Sequence, residues 1–211
     1  MENIILTSSG FNDVNNYVSD EMKNLLIKIS KGKKVMILSN AAPKGTGNFV
    51  ARENVKENFI NGGADQVDIF DLNEENISSM LDYDVIYGLG GDPTYLIELN
   101  QNPNFKETMI KFLEKGIFVG ESAGSLIMCE DLKWLYIIKK GSKKKYDVEL
   151  DTYQGLGLTE HMVFPHWNKV SDSMKEKAEN YENAFNTSLT KLNDGEFISI
   201  EYNKKPTILI I

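Results

Sequence analysis

The sequence predicts an α/β fold, a three-layer sandwich whose mostly parallel central sheet is flanked by helices. Short apolar runs alternate with longer amphipathic segments through the first two-thirds of the chain, which is the pattern of consecutive βαβ units. Glycine-rich turns follow two of the apolar runs, where parallel strands would end in loops. The 211 residues and their 41% hydrophobic content fit one domain, residues 1–211.

The predicted elements follow one another in a regular order. Strands are expected at 3–7, 34–38, 66–71, 84–87 and 117–119, with helices between them at 11–30, 49–61, 94–100 and 105–115. The first helix has apolar residues at helical spacing and stops at KGKK, while glycines at 62–63 and 116 end two others. Beyond residue 145 the pattern changes, and we expect strands at 162–164, 197–202 and 207–211 with a polar helix at 171–185.

The net charge of −8 argues against nucleic acid as a partner, because phosphate binding requires clustered lysine and arginine. One basic segment, KKGSKKK at residues 139–145, departs from this balance. It is typical of a solvated surface loop. Contact with a phosphate or an acidic substrate, or closure over a site as a lid, are the alternatives.

Other classes are excluded by what the sequence lacks. No run approaches the roughly eighteen apolar residues of a membrane span, and the start MENIILTSSGFN has no basic leader, so a cytoplasmic protein without membrane contact is expected. The single Cys129 rules out an internal disulfide and is expected to be buried. Without CxxC or HExxH, neither a metal nor another cofactor is expected. The oligomeric state stays open, a homodimer included.

The segment GESAG at residues 120–124 fits G-x-S-x-G, the strand-to-helix corner called a nucleophile elbow. An apolar strand precedes it and the helical start LIM follows it, which is the context that the motif requires. Ser122 would then lie at a strand end near a helix N-terminus, with the amide of Ala123 available to an oxyanion. An ordinary tight turn is the alternative.

A serine nucleophile needs a base and an acid, and the chain has two histidines. His166 is the better base because Pro165 ends the preceding apolar strand, whereas His161 lies among polar neighbours and is expected at the surface. Asp194 occupies an Asn-Asp-Gly turn just before a strand, where a carboxylate would be held at the sheet end. A structural histidine and a plain turn are the alternatives.

A second glycine cluster, GLGGD at residues 88–92, also follows a strand. Glycines allow close approach of the backbone and can direct an amide toward negative charge. Gly91, or Gly90 as second choice, could therefore supply another oxyanion donor. A dinucleotide-binding loop does not fit, because the G-x-G-x-x-G register is absent.

Together, GLGGDPTYLIEL, GESAGS, FPHWN and LNDGEFISI resemble the dipeptidase E family, the aspartyl dipeptidases, in order and approximate spacing over nearly the whole chain. The resemblance implies a fold like that of class I glutamine amidotransferases. It also implies Ser122 as nucleophile, His166 as general base and Asp194 as the acid, with Gly91 and Ala123 as oxyanion amides. The order serine, histidine, acid differs from that of α/β-hydrolases.

One departure concerns the substrate. In the aspartyl dipeptidases an arginine shortly after the histidine pairs with the substrate's acidic side chain, and residues 168–182 contain none. Lys169, Lys175 and Lys177 are the cations there, and lysine lacks the bidentate guanidinium fork. Aspartyl specificity therefore does not carry over.

The sequence thus predicts a serine-type peptidase that hydrolyses dipeptides or other small amides through a Ser-His-Asp triad and an acyl-enzyme. An esterase or acyl-transfer enzyme with the same triad is one alternative. A non-catalytic homologue that binds small molecules is the other.

Overall fold

The computed structural model describes residues 2–11, 19–42, 49–72, 76–139 and 153–202. It confirms the predicted fold class, a mostly parallel central sheet between layers of helices. The expected strand at 207–211 and all but the first residue of the segment 139–145 lie outside the described residues.

Strands of two sheets make up the β-structure. They are β1 Ile4–Thr7, β2 Lys34–Leu38, β3 Gln66–Phe70, β4 Val85–Gly88, β5 Ile117–Glu121, β6 Met162–Phe164, β7 Leu189–Lys191 and β8 Phe197–Ile200. The central sheet has the order β3-β2-β4-β5-β1-β8, and its neighbours are parallel except for β8, which runs antiparallel to β1. β6 and β7 form a separate parallel pair.

Seven helices are described, and several of them begin at polar caps that the sequence carries. They are α1 Asp20–Ser30, α2 Phe49–Asn61, α3 Pro93–Asn100, α4 Pro103–Leu113, α5 Ala123–Leu126, α6 Lys133–Lys139 and α7 Asp172–Phe185. Ser19 accepts a hydrogen bond from the Met22 amide at the start of α1, and Asp92 accepts one from the Thr94 amide at the start of α3. Short 3₁₀ helices span Ile77–Asp82 and Trp167–Lys169.

Both faces of the central sheet are buried, which explains why its strands are continuous apolar runs. Alternate side chains of one strand enter different cores. On β1, Ile4 and Leu6 pack with residues of α3 and α4, whereas Ile5 packs with residues of α1 and α2. Because β4 and β1 both pair in parallel with β5, the carboxyl ends of these three strands lie side by side at one edge of the sheet.

Apart from shifts of one or two residues at the ends of other elements, such as α4 and β8, the structure differs from the sequence prediction in four places. Helix α1 begins at Asp20, and Phe11, the predicted helix start, lies buried in a turn. β5 extends to Glu121 because its pairing with β1 continues to Thr7. β6 lies outside the central sheet and pairs with β7, a three-residue strand too short to show alternation. Helix α6 is an apolar run adjoining the lysine-rich segment, and no helix is predicted there.

Candidate active site

Ser122 lies at the corner that the sequence predicts. β5 ends at Glu121, α5 begins at Ala123, and Ser122 between them has φ 48° and ψ −107°. This conformation is strained for an L-residue and persists only where the surrounding structure enforces it. The Ser122 amide donates to the Thr7 carbonyl at 3.1 Å, which fixes the corner to the end of β1.

Close backbone approach requires the two glycines that flank Ser122. A Cβ at Gly124 would overlap the carbonyl group of Gly88, and one at Gly120 would overlap the backbone of Ser125. The buried Ser125 hydroxyl accepts from the Thr7 amide at 3.0 Å and lies 2.8 Å from the carbonyl oxygens of Thr7 and Gly120. The last serine of GESAGS thus ties the elbow to β1, a role that the sequence prediction missed.

His166 joins the serine to the predicted acid. It follows β6 by two residues in a left-handed conformation, with φ 60° and ψ 32°. Its Nε2 lies 2.9 Å from Ser122 Oγ, and its Nδ1 lies 2.6 Å from Asp194 Oδ1. A carboxylate can only accept, so Nδ1 carries the proton when the ring is neutral and Nε2 is left to accept from the serine. The three residues therefore form one hydrogen-bonded chain.

Asp194 lies in the turn between β7 and β8, and its side chain is only 1% exposed. Oδ1 accepts from the Ser8 hydroxyl at 2.9 Å as well as from His166, and Oδ2 lies 2.7 Å from Lys169 Nζ. Burial raises the pKa of Asp194, but hydrogen bonds from Lys169, His166 and Ser8 outweigh it and hold that pKa below its usual value. Asp194 is therefore a carboxylate at neutral pH.

Two further side chains fix the backbones of the histidine and the acid, and the sequence prediction named neither. The Ser8 hydroxyl, fully buried directly after β1, accepts from the His166 amide at 2.7 Å. Asn168 Oδ1 accepts from the Asp194 amide at 3.1 Å. The sequence could have indicated Ser8 only through its position, because it directly follows β1, which ends beside β5 at the same edge of the sheet.

The glycine-rich loop after β4 adjoins the elbow. A Cβ on Gly90 would lie 3.3 Å from Ser122 Cβ. Gly91 has φ 154° and packs against the Ala41 carbonyl oxygen so closely that no side chain would fit. Ala123 is buried directly after the serine at the start of α5. The three residues predicted to bind an oxyanion thus belong to segments that meet at Ser122.

Glu121, the variable residue of the elbow, is buried beneath this loop. Its Oε2 accepts from the hydroxyl of Tyr87 at 2.6 Å, and that hydroxyl accepts from the Phe11 amide at 2.9 Å. Burial raises the pKa of Glu121 from 4.5 to about 7, although hydrogen bonds from Tyr87 and the Gly90 amide act in the opposite direction. The carboxyl group therefore changes protonation near neutral pH and connects the elbow to the glycine loop.

The raised pKa of Glu121 predicts a pH-dependent stability. Because the folded state binds this proton more tightly than the unfolded state, its contribution is complete below about pH 4.5 and is lost as pH rises through about 7. The difference corresponds to about 3 kcal/mol in the free energy of unfolding. We expect Glu121→Gln to lose less stability than the wild type between pH 5 and pH 8, measured by urea unfolding.

The matched control for this prediction is Glu98→Gln, which removes an exposed carboxylate from α3 and should leave the pH dependence unchanged. Asp194 does not interfere, because a lowered pKa contributes stability that is lost only at pH values below 3.8. Parallel pH profiles for the wild type and Glu121→Gln would contradict the assignment.

The remaining candidate residues lie away from Ser122 or have other partners. His161, expected at the surface, is partly buried, with its Nδ1 3.2 Å from Thr190 Oγ1, and burial lowers the pKa of its ring. Cys129 is buried as expected, and burial raises its pKa to about 11. Lys175 lies over the Trp167 ring at 5.8 Å from its centroid.

Neither a metal cluster nor a spanning helix appears in the part of the chain that the structure describes. Those residues contain no group of three or more histidine, cysteine, aspartate or glutamate side chains that could hold a metal ion. None of the helices among them has the length and apolar character needed to cross a membrane.

An α/β sheet with a serine at a strand-to-helix corner beside a histidine and a buried carboxylate is typical of hydrolases. Within that class, the model of Peptidase family S51 matches residues 4–208, and the chain belongs to this family of peptidases. This confirms the resemblance to the dipeptidase E family that the sequence motifs indicate.

Solved structures show the same fold. A peptidase E-like protein from Listeria monocytogenes EGD-e superimposes with a TM-score of 0.73 at 22% identity, covering 100% of this chain and 99% of its own. A peptidase from an acI-B1 Actinobacterium gives a TM-score of 0.65 at 18% identity, covering 97% of this chain and 85% of its own. Among curated proteins none matches the sequence. At these identities the structural matches establish the fold.

Proposed function

We propose that this peptidase is a serine-type enzyme that hydrolyses dipeptides or other small amides with Ser122, His166 and Asp194 as its triad. The observation that carries the proposal is the hydrogen-bonded chain from Ser122 Oγ through His166 to the buried Asp194 carboxylate. A serine hydroxyl becomes an effective nucleophile only when a positioned base accepts its proton, and His166 is the base in this arrangement.

The proposed reaction uses each of these groups in turn. As Ser122 Oγ attacks the substrate carbonyl carbon, its proton passes to His166 Nε2, and the Asp194 carboxylate stabilises the resulting imidazolium. The tetrahedral intermediate collapses when His166 returns this proton to the leaving amine, which departs and leaves an acyl-enzyme. Water, deprotonated by the same imidazole, then hydrolyses the ester and releases the acid.

For the oxyanion we propose the amides of Ala123 and Gly91. The Ala123 amide directly follows the nucleophile at the start of α5, and the first N–H groups of a helix have no partner within the helix. Gly91 is favoured over Gly90 because the Gly90 amide donates to the Glu121 carboxyl group and is engaged beneath the loop.

Substrate preference follows from the cations near the histidine. The closest of the three candidate lysines to the triad, Lys169, is paired with Asp194, and Lys175 lies beside Trp167. Neither provides the guanidinium fork that binds an acidic side chain in aspartyl dipeptidases. We therefore propose short amide substrates without a requirement for an N-terminal aspartate.

The test combines active-site labelling with a substrate panel. A fluorophosphonate should label the wild-type protein at Ser122, since the reagent reports an activated serine whatever the substrate. Dipeptides varied at the N-terminal residue should be hydrolysed, with small esters as comparison. Turnover of esters alone would favour the acyl-transfer alternative, and absence of labelling together with absence of turnover would overturn the serine peptidase proposal.

A further inference from the structure

The acid of the proposed triad has a partner on each carboxylate oxygen. Oδ1 of Asp194 receives His166 Nδ1 and the Ser8 hydroxyl, while Oδ2 lies 2.7 Å from Lys169 Nζ. The Asp194 side chain is 1% exposed and that of Lys169 is 48% exposed. The ammonium therefore closes the solvent side of an otherwise buried carboxylate.

We infer that Lys169 is a positioning residue of the catalytic site, whose ammonium fixes the Asp194 carboxylate in the orientation that holds His166. This inference rests on the proposed function. It gives Lys169 a role different from that of a substrate-binding cation, which its place shortly after the histidine would suggest. An ion pair to one oxygen sets the rotation of the carboxylate about its Cβ–Cγ bond, so the other oxygen stays aligned with the imidazole.

The local fold explains why Lys169 reaches the same carboxylate as His166. The 3₁₀ helix Trp167–Lys169 starts directly after the histidine, and the Lys169 amide donates to the His166 carbonyl at 2.9 Å. The turn brings both side chains to the same carboxylate, with His166 Nδ1 at Oδ1 and Lys169 Nζ at Oδ2. Between them, Asn168 accepts from the Asp194 amide at 3.1 Å. The segment from His166 to Lys169 thus contacts Asp194 at its backbone amide and at both carboxylate oxygens.

The negative charge of the buried Asp194 carboxylate is the reason that its ion pair with Lys169 matters. A buried carboxylate whose second oxygen lacks a partner carries a desolvation penalty that favours its reorientation toward water or its protonation. Lys169 removes that penalty, and hydrogen bonds from Lys169 contribute to the lowered pKa of Asp194. Other charged side chains on neighbouring elements have partners of their own. They are Glu121 with Tyr87, Lys191 with Glu182, Lys175 over Trp167, and Glu196 with Asn193.

The kinetic test separates positioning from substrate binding. For Lys169→Met we expect kcat to fall by about 10- to 100-fold on neutral and anionic dipeptides alike, the effect of leaving one buried carboxylate oxygen without its ion-pair partner, with KM unchanged. Lys169→Arg should restore most of kcat. Lys175→Met, which removes a cation beside Trp167, is the matched control and should keep wild-type kcat. A rise in KM confined to anionic substrates would overturn the inference and make Lys169 a binding residue.

A second readout needs no substrate. The proton on His166 Nδ1, held in a 2.6 Å hydrogen bond to a buried carboxylate, should give a low-field proton NMR resonance. The chain has only two histidines, so a His161→Gln variant assigns the signal. In the Ser122→Ala background we expect the resonance to persist with Lys169→Arg and to move upfield or vanish with Lys169→Met. An unchanged resonance in Lys169→Met would overturn the inference even if no substrate were turned over, whereas failure of the proposed function would appear in the labelling experiment.

Discussion

Replacement of Ser122 by alanine is expected to lower kcat/KM on the preferred dipeptide by about 10⁴- to 10⁶-fold. The Ser122 hydroxyl is the group that His166 Nε2 faces at 2.9 Å, and without it no acyl-enzyme can form. Binding should be little affected, because the amides proposed for the oxyanion and the loop packing remain. The measurement is steady-state turnover, with loss of fluorophosphonate labelling as its covalent counterpart.

The fold should tolerate this change. The Ser122 backbone amide keeps its bond to the Thr7 carbonyl, and no described helix is capped by the Ser122 side chain. We therefore expect the free energy of unfolding to change by less than about 1 kcal/mol. Ser79→Ala is the matched control. It removes a hydroxyl that donates to the Asn76 carbonyl at 2.7 Å, and it lies in the 3₁₀ helix Ile77–Asp82 rather than at the elbow. Residual turnover within tenfold of wild type would show that another nucleophile acts.

The parts of the fold that the sequence predicts are those with strong local signals. β2 and α2 have the predicted bounds, because an apolar strand or a glycine-terminated helix is specified by its own residues. The elbow is equally local, since the glycines at 120 and 124 are required by contacts within the strand-turn-helix unit and with β4. These segments show the βαβ order that places Ser122 at the sheet edge.

What the sequence could not predict depends on distant pairing. β6 has the predicted bounds, but its partner β7 is a three-residue strand that no local pattern marks, and the two pair across the whole of α7. Ser8 lies 158 residues before the His166 amide that it binds, so its function is visible only after β1 is placed beside β5. The sequence indicates Lys169 as a cation near the histidine but does not indicate its partner, because only the turn before β8 brings Asp194 to it.

Replacement of Asp194 by asparagine should lower kcat by about 10³- to 10⁴-fold with little change in KM. The reason is specific to this site. To accept from His166 Nδ1 the asparagine must present its oxygen there, which turns its NH₂ group toward the Lys169 ammonium and sets two donors against each other. The flipped amide satisfies Lys169 but donates to Nδ1, so the ring proton moves to Nε2 and the imidazole can no longer accept from Ser122.

This argument makes the two side chains interdependent, which a double-mutant cycle measures. In the Lys169→Met background the asparagine meets no ammonium and can keep the oxygen on His166, so Asp194→Asn should cost less there than in the wild type. Asp84→Asn is the control, because Asp84 accepts from the Lys34 amide at the opposite end of the sheet and should leave kcat unchanged. Strictly additive losses of kcat in the cycle would show that Lys169 does not determine how the asparagine amide is oriented. In that case Asp194→Asn would remove the low-field proton resonance to the same extent in the wild-type and Lys169→Met backgrounds.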